Sequence, residues 1–272
     1  MRENGGMARR VRLVLLHGSQ VNRAVWSRYT HYLGPDVEVV APDLPAHGAR
    51  RGEDFTWAAA LATVDDAVGP DDGTPVVLAG HSLGGYLALA WASRHPRRLS
   101  GLALLGASAV PTGLGALVYR GLARVEQRLG ADRMARALDR EFDALLPPAF
   151  AAAVKEAGYG FDGIPAAWAA VMGECRPGML REVTAPVLLV NGQLDQLRVD
   201  VPRFRRAARS APWVRVVTVP RGLHVVPLTH PAQVAAALWE LVVWARAEAE
   251  EEGLGHARFT PGRPLGGEWT PP

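Results

Sequence analysis

Short, largely apolar runs at residues 11–16 (VRLVLL), 37–41 (VEVVA), 76–79 (VVLA) and 99–105 (LSGLALL) recur through the first part of the chain. Continuous runs of that length predict strands buried on both faces, as in a parallel sheet. The segments between them change period: Trp57, Leu61, Val64 and Val68 share one helical face, and Leu83, Leu87 and Trp91 share another. Alternating strands and helices predict a mostly parallel, doubly wound α/β sheet.

From about residue 111 the strand signal disappears. Leu114, Val118, Leu122, Val125 and Leu129 form one helical stripe, and Met134, Leu138 and Phe142 form a second. Pro147 and Pro148 interrupt that pattern, and a third helical piece passes through Trp168, Met172 and Cys175 before Pro177 and Gly178. Strands return in "APVLLVNGQLD" and "VRVVTVPRGLH", and Val234, Leu238, Leu241, Val242 and Ala245 mark a closing amphipathic helix. The expected organisation is an N-terminal extension (1–10), one α/β core (11–109 and 182–248), a helical insertion (110–181) and a tail (249–272). The end of the chain, "GLGHARFTPGRPLGGEWTPP", lacks periodicity and reads as disordered.

Composition narrows the functional classes. Of 272 residues, 49% are hydrophobic and 21% charged, which fits a globular chain with room for one large core. The net charge is only +3, and the basic runs at 9–12 and 203–209 carry no interleaved aromatic platform beyond Phe204. Nucleic acid is therefore not an expected partner. A lone cysteine, Cys175, excludes an intrachain disulfide and a cysteine-based zinc site. The basic N-terminus runs into an apolar stretch that stops at His17, too short for a secretion signal, and no later stretch approaches the ~20 residues of a membrane span. The expected setting is the cytoplasm, with no membrane partner.

The chemistry concentrates in "VVLAGHSLGGYLAL", where Gly80, Ser82 and Gly84 form GxSxG between a predicted strand and a predicted helix. Such a turn raises the Ser82 hydroxyl above the strand ends, where open α/β sheets take their ligands. A serine nucleophile needs a base, itself oriented by a carboxylate. Asp195 and His224 each follow a later strand, in the order Ser, Asp, His. Asp200 is the rival acid but reads as a helix start, and His230 precedes Pro231 at another. His81 reads as support for the turn, and His17 as a loop brace. A tetrahedral oxyanion needs two donors. The backbone N–H of Leu83 supplies one, and that of Ser19, in "LLHGSQ", is the candidate for the other. No histidine spacing suits a metal, and no cofactor is expected.

With "LLHGSQ", "VVAPDLPAHG", "GHSLGG", "NGQLD" and "GLHVVPLTHP" in that order, the chain resembles the α/β-hydrolase superfamily from about residue 11 to 247. The resemblance implies Ser82 as nucleophile, His224 as base, Asp195 as orienting acid, backbone donors at Ser19 and Leu83, and a helical cap made from the insertion. Two positions depart from the usual pattern: Ala46 stands where the "DLPGHG" loop commonly has glycine, and Leu223 where glycine often precedes the base. The implied reaction is hydrolysis of a small, largely apolar ester, thioester or lactone through an acyl-enzyme. C–C bond hydrolases, aminopeptidases and cofactor-free perhydrolases use the same triad, and a small-molecule receptor with slow turnover is the alternative of another class. Phe142, Phe150, Tyr159, Phe161 and Trp168 are the aromatic candidates for lining the pocket or filling the cap core.

Overall fold

The computed structural model describes residues 10–110, 121, 124, 128 and 130–253. Its strands are β1 (Val11–Leu16), β2 (Val37–Val40), β3 (Val76–His81), β4 (Gly101–Leu105), β5 (Val187–Gly192) and β6 (Val214–Val219). They form one sheet in the order β2-β1-β3-β4-β5-β6, with every neighbouring pair parallel. Every residue of β3, β4 and β5 is buried, which is why these strands carry no polar alternation. At the sheet edge β6 exposes Arg215 and Thr218, and only Val219 of this strand is buried.

The pleat divides the core in two. Val14, Leu16, Leu78, Leu102 and Leu189 face α2 (Trp57–Val68) and α3 (Leu83–Arg94). Leu13, Leu15, Val77, Leu105 and Leu188 face α1 (Tyr29–Leu33) and the last helix. Between β4 and β5 the chain forms α4 (Ala131–Leu145), α5 (Pro148–Glu156) and α6 (Ile164–Glu174). After β5 come α7 (Val201–Ala207), α8 (Val226–Thr229) and α9 (Pro231–Gly253).

Several details differ from the sequence reading. Residues Leu83 to Ala92 of α3 are all buried, so this helix is enclosed on every side rather than amphipathic. Helix α9 continues to Gly253, past the expected end of the core at 248, because its hydrogen-bonded ladder outlasts its apolar stripe. Strand β2 stops at Val40, short of Ala41. The stripe from Leu114 to Leu129 lies outside the described residues. Pro148 starts α5, a place where its missing N–H is no loss.

Strand order reverses between β1 and β3, since the chain first builds outward to β2 and then returns to the other side of β1. Open parallel sheets bind ligands at such a point, beyond the carboxyl ends of the strands. Here the segment after β1 begins at His17 and the segment after β3 begins at Ser82.

Candidate active site

Ser82 joins β3 to α3 at φ 51° and ψ −116°, a backbone conformation that L-residues rarely hold. Its N–H donates to the Leu105 carbonyl at 2.8 Å, and its carbonyl accepts the N–H groups of Gly85 and Tyr86 at 2.9 and 3.1 Å. The turn is tight enough to demand its glycines. A Cβ at Gly80 would run into the Gly84 carbonyl, and one at Gly84 would lie 2.5 Å from the Leu16 carbonyl oxygen. Leu83 is the first residue of α3, and the first N–H groups of a helix have no intrahelical acceptor.

Asp195 follows β5 and is buried; His224 follows β6 and is partly exposed. The His224 Nδ1–H donates to Asp195 Oδ1 at 3.0 Å, leaving the Nε2 lone pair free to accept a proton. Asp195 Oδ1 also accepts the Leu197 N–H at 2.8 Å, and Oδ2 accepts from Asn191 Nδ2 at 3.3 Å. Burial alone would push the Asp195 carboxyl up. The hydrogen bonds and charge of His224, with those from Leu197 and Asn191, outweigh it and hold the group below the usual carboxylate range.

The rival candidates are engaged elsewhere. Asp200 does begin α7, but its carboxylate accepts the Val110 N–H at 2.8 Å and pairs with Arg203 at 3.3 Å. His230 Nδ1 meets the Thr229 hydroxyl at 2.8 Å. His81 donates from Nε2 to the His224 carbonyl at 2.9 Å, and the two rings lie 4.8 Å apart. Burial, then the neighbouring His224, takes the His81 pKa from 6.5 to about 3, so it is a neutral brace for the loop that carries His224.

Two residues at this centre are given no role by the sequence reading. Gly106, at φ 59°, lies against Asp195 and His224: a Cβ there would sit 3.0 Å from His224 Cε1 and 3.2 Å from Asp195 Oδ2. Asn191 reaches Asp195 from the end of β5. Asn191 opens "NGQLD" but its side chain has no assigned part there, and Gly106, directly after β4, belongs to no motif.

Across the strand reversal, His17 fixes the start of the loop after β1. Its Nε2 accepts the Leu44 N–H at 3.0 Å, so Nδ1 carries the proton and donates to the Gly18 carbonyl at 2.8 Å. A trans peptide points its C=O and N–H in opposite directions. Holding the Gly18 carbonyl against His17 therefore turns the Ser19 N–H away from that ring. Burial, then the nearby His47, takes the His17 pKa to about 3 and keeps the ring neutral, as these bonds require.

Ser19, Ser82 and Leu83 line one narrow cleft of about 220 Å³, closed by Tyr86 and, from α6, by Ala167, Trp168 and Val171. Of the five candidate aromatics, Trp168 alone is among the described lining residues. Phe142 and Phe150 pack with Trp26 and Tyr29 in the second core, and the Tyr159 hydroxyl donates to Asp139 at 2.7 Å. Helical spacing could not separate a cleft-facing ring from one buried against the turn after β1. Of the two departures from pattern, Ala46 holds φ 66°, a conformation that favours glycine, whereas Leu223 has no positive φ and is half exposed. Among the described residues no cluster of His, Cys, Asp or Glu is arranged to hold a metal, and no described helix is long and apolar enough to cross a membrane.

The profile of the alpha/beta hydrolase family matches residues 13–237. A pimeloyl-[acyl-carrier protein] methyl ester esterase of Aromatoleum aromaticum is 41% identical over 96 residues, which is 35% of this chain and 37% of that protein. The matched stretch thus spans little more than a third of that relative. The same-named esterase of Chromobacterium violaceum is 28% identical over 244 residues, 84% of this chain and 92% of the relative. Among solved structures, a thermophilic esterase of Thermogutta terrifontis superimposes with a TM-score of 0.66 at 22% identity, covering 87% of this chain and 90% of that one, a likeness of fold.

Proposed function

The chain belongs to the alpha/beta hydrolase family, and from that premise we propose that it hydrolyses a small, largely apolar carboxylic ester through an acyl-enzyme formed on Ser82. The observation that carries this reading is the hydrogen-bonded Asp195–His224 pair at the sheet edge that also bears the strained Ser82 turn. Relatives named as methyl ester esterases support an ester as the bond cleaved.

In this mechanism Ser82 Oγ attacks the ester carbonyl while His224 Nε2 takes its proton. The imidazolium that forms is stabilised by the Asp195 carboxylate, which is ionised in advance by its hydrogen bonds. Negative charge on the carbonyl oxygen meets the N–H groups of Ser19 and Leu83. His224 then protonates the departing alkoxide, and the alcohol leaves. Water, deprotonated by His224, attacks the acyl-enzyme and returns Ser82 with release of the carboxylic acid. We read α4 to α6 as the cap; Ala167, Trp168 and Val171 supply the apolar wall. The wall that Ala167, Trp168 and Val171 set against Ser82 leaves a narrow, apolar cleft, which favours short acyl chains.

The test is turnover of p-nitrophenyl acetate, butyrate, octanoate and palmitate by wild-type and Ser82→Ala protein. Short chains should turn over fastest, and Ser82→Ala should lose about 10⁴-fold or more in kcat. Full turnover by Ser82→Ala would remove the nucleophile from the scheme; equal rates from acetate to palmitate would remove the narrow pocket.

A further inference from the structure

The segment that carries Ser19 ends in a polar joint with the inserted helices. Asn22 is completely buried, three residues beyond Ser19. Its Nδ2 donates to the carbonyls of Val154 at 2.9 Å and Gly158 at 2.7 Å, and its Oδ1 accepts the Ala24 N–H at 2.9 Å. Both amide hydrogens are thus used. On one side of it the Gly160 N–H donates to the Gln20 carbonyl at 3.3 Å; on the other, Arg51 Nη1 donates to the Ala157 carbonyl at 3.0 Å. The carbonyls at the end of a helix have no partner within it. Here the Val154 carbonyl in the last turn of α5, and those of Ala157 and Gly158 just beyond it, are completed by the core through Asn22 and Arg51.

The loop from Gly18 to Asn22 is consequently pinned at both ends. His17 holds the Gly18 carbonyl at its start, and α5 holds Asn22 at its finish. Gln20, between them, sits at φ 72°, a left-handed conformation that a non-glycine residue keeps only under restraint. The Ser19 N–H lies on the segment so restrained. The strand of chain held by Asn22 leads within a few residues to α6, whose Ala167, Trp168 and Val171 line the cleft.

We propose that Asn22 is a positioning residue: it fastens the loop bearing the Ser19 donor to the inserted helices, so that the oxyanion site is complete only while those helices are seated. Groups of the substrate that pack under α6 then act on the chemical step as well as on binding. This rests on the acyl-transfer reading of Ser82.

Asn22→Ser separates the two duties of the side chain. Serine still caps the turn at Arg23–Trp26 by accepting the Ala24 N–H, but it cannot reach the Val154 and Gly158 carbonyls. With p-nitrophenyl butyrate, kcat should fall about tenfold while KM changes less than about threefold. Affinity for a trifluoromethyl ketone, which becomes tetrahedral on Ser82, should fall in parallel with kcat/KM, and affinity for butyrate, the product, should hold. A part that merely stabilised the fold would lower Tm and leave these ratios alone. Arg51→Gln loosens the same joint from the surface, where loss of folding is not at issue, and should lower kcat by about twofold to threefold. Wild-type kcat and ketone affinity in folded Asn22→Ser would overturn the proposal, and should that variant not fold, unchanged kcat in Arg51→Gln would do so. Absence of Ser82-dependent turnover in the wild type is a different result, because it removes the hydrolase reading itself.

Discussion

Replacing Gly106 by alanine adds one methyl group at the point where Asp195 and His224, the proposed acid–base pair, meet the sheet. That methyl would lie 3.0 and 3.1 Å from His224 Cε1 and Nδ1 and 3.2 Å from Asp195 Oδ2. Ordinary carbon contacts need about 3.5–4.0 Å, so His224 must retreat by roughly half an ångström. Displacements of about 1 Å at a reacting group cost as much as 10²-fold, and about tenfold in kcat is the expected loss. Alanine at φ 59° adds about 1–2 kcal/mol of backbone strain. Gly34 supplies the control: at φ 77° and ψ 173° it holds a conformation still more specific to glycine, with nothing within 4 Å of a Cβ, so Gly34→Ala carries backbone strain without the collision. Urea denaturation should show a stability loss in both variants, and esterase kinetics should show a fall in kcat in Gly106→Ala alone. Equal kcat in Gly106→Ala and Gly34→Ala would refute the claim that this glycine is there to clear space for the acid–base pair.

Two further expectations concern stability. His17 and His81 fall from 6.5 to about 3 in the fold, chiefly through burial. Both values are depressed, so the stability tied to their neutral forms is complete above pH 6.5 and is lost as pH falls toward 3. Over that window the unfolded chain binds two protons that the native state does not, a slope of about 2.7 kcal/mol per pH unit. Urea midpoints at pH 7, 6 and 5 measure it. His81→Gln, which retains an amide donor for the His224 carbonyl, should reduce the slope by about half, and an unchanged slope would contradict the assignment. Ala46→Gly relieves a left-handed alanine at φ 66° but gives up a buried methyl group and frees the unfolded chain, so the terms nearly cancel and stability should change by less than about 1 kcal/mol. A loss of about 2 kcal/mol or more in urea denaturation, the cost of the methyl and the added freedom with no relief to offset them, would show that the loop is not strained there.

The parallel strands were legible because burial on both faces leaves uninterrupted apolar runs, and the serine turn because its glycines answer to collisions that no side chain survives. Asp195 and His224 could be read from their places after strands, and the structure joins them by a 3.0 Å hydrogen bond. Gly106 escaped notice since its significance lies in what approaches it from the ends of β5 and β6, and Asn191, though it opens "NGQLD", since the motif does not say that its amide turns back onto Asp195. The enclosure of α3 and the sorting of Trp168 from Phe142 and Phe150 escaped for a related reason: a helical period reports which residues share a face, not which surface covers it. Asn22, in a segment read only for its backbone donor, takes its meaning from carbonyls more than 130 positions away.

The central claim is that Ser82 is the nucleophile of an acyl-transfer site, and covalent labelling tests it most directly. Treatment with a fluorophosphonate followed by peptide mass mapping should place one adduct per chain on Ser82, with none in Ser82→Ala and a much slower reaction in Asp195→Asn. An adduct on another residue, or equal labelling of the wild type and Ser82→Ala, would contradict the account.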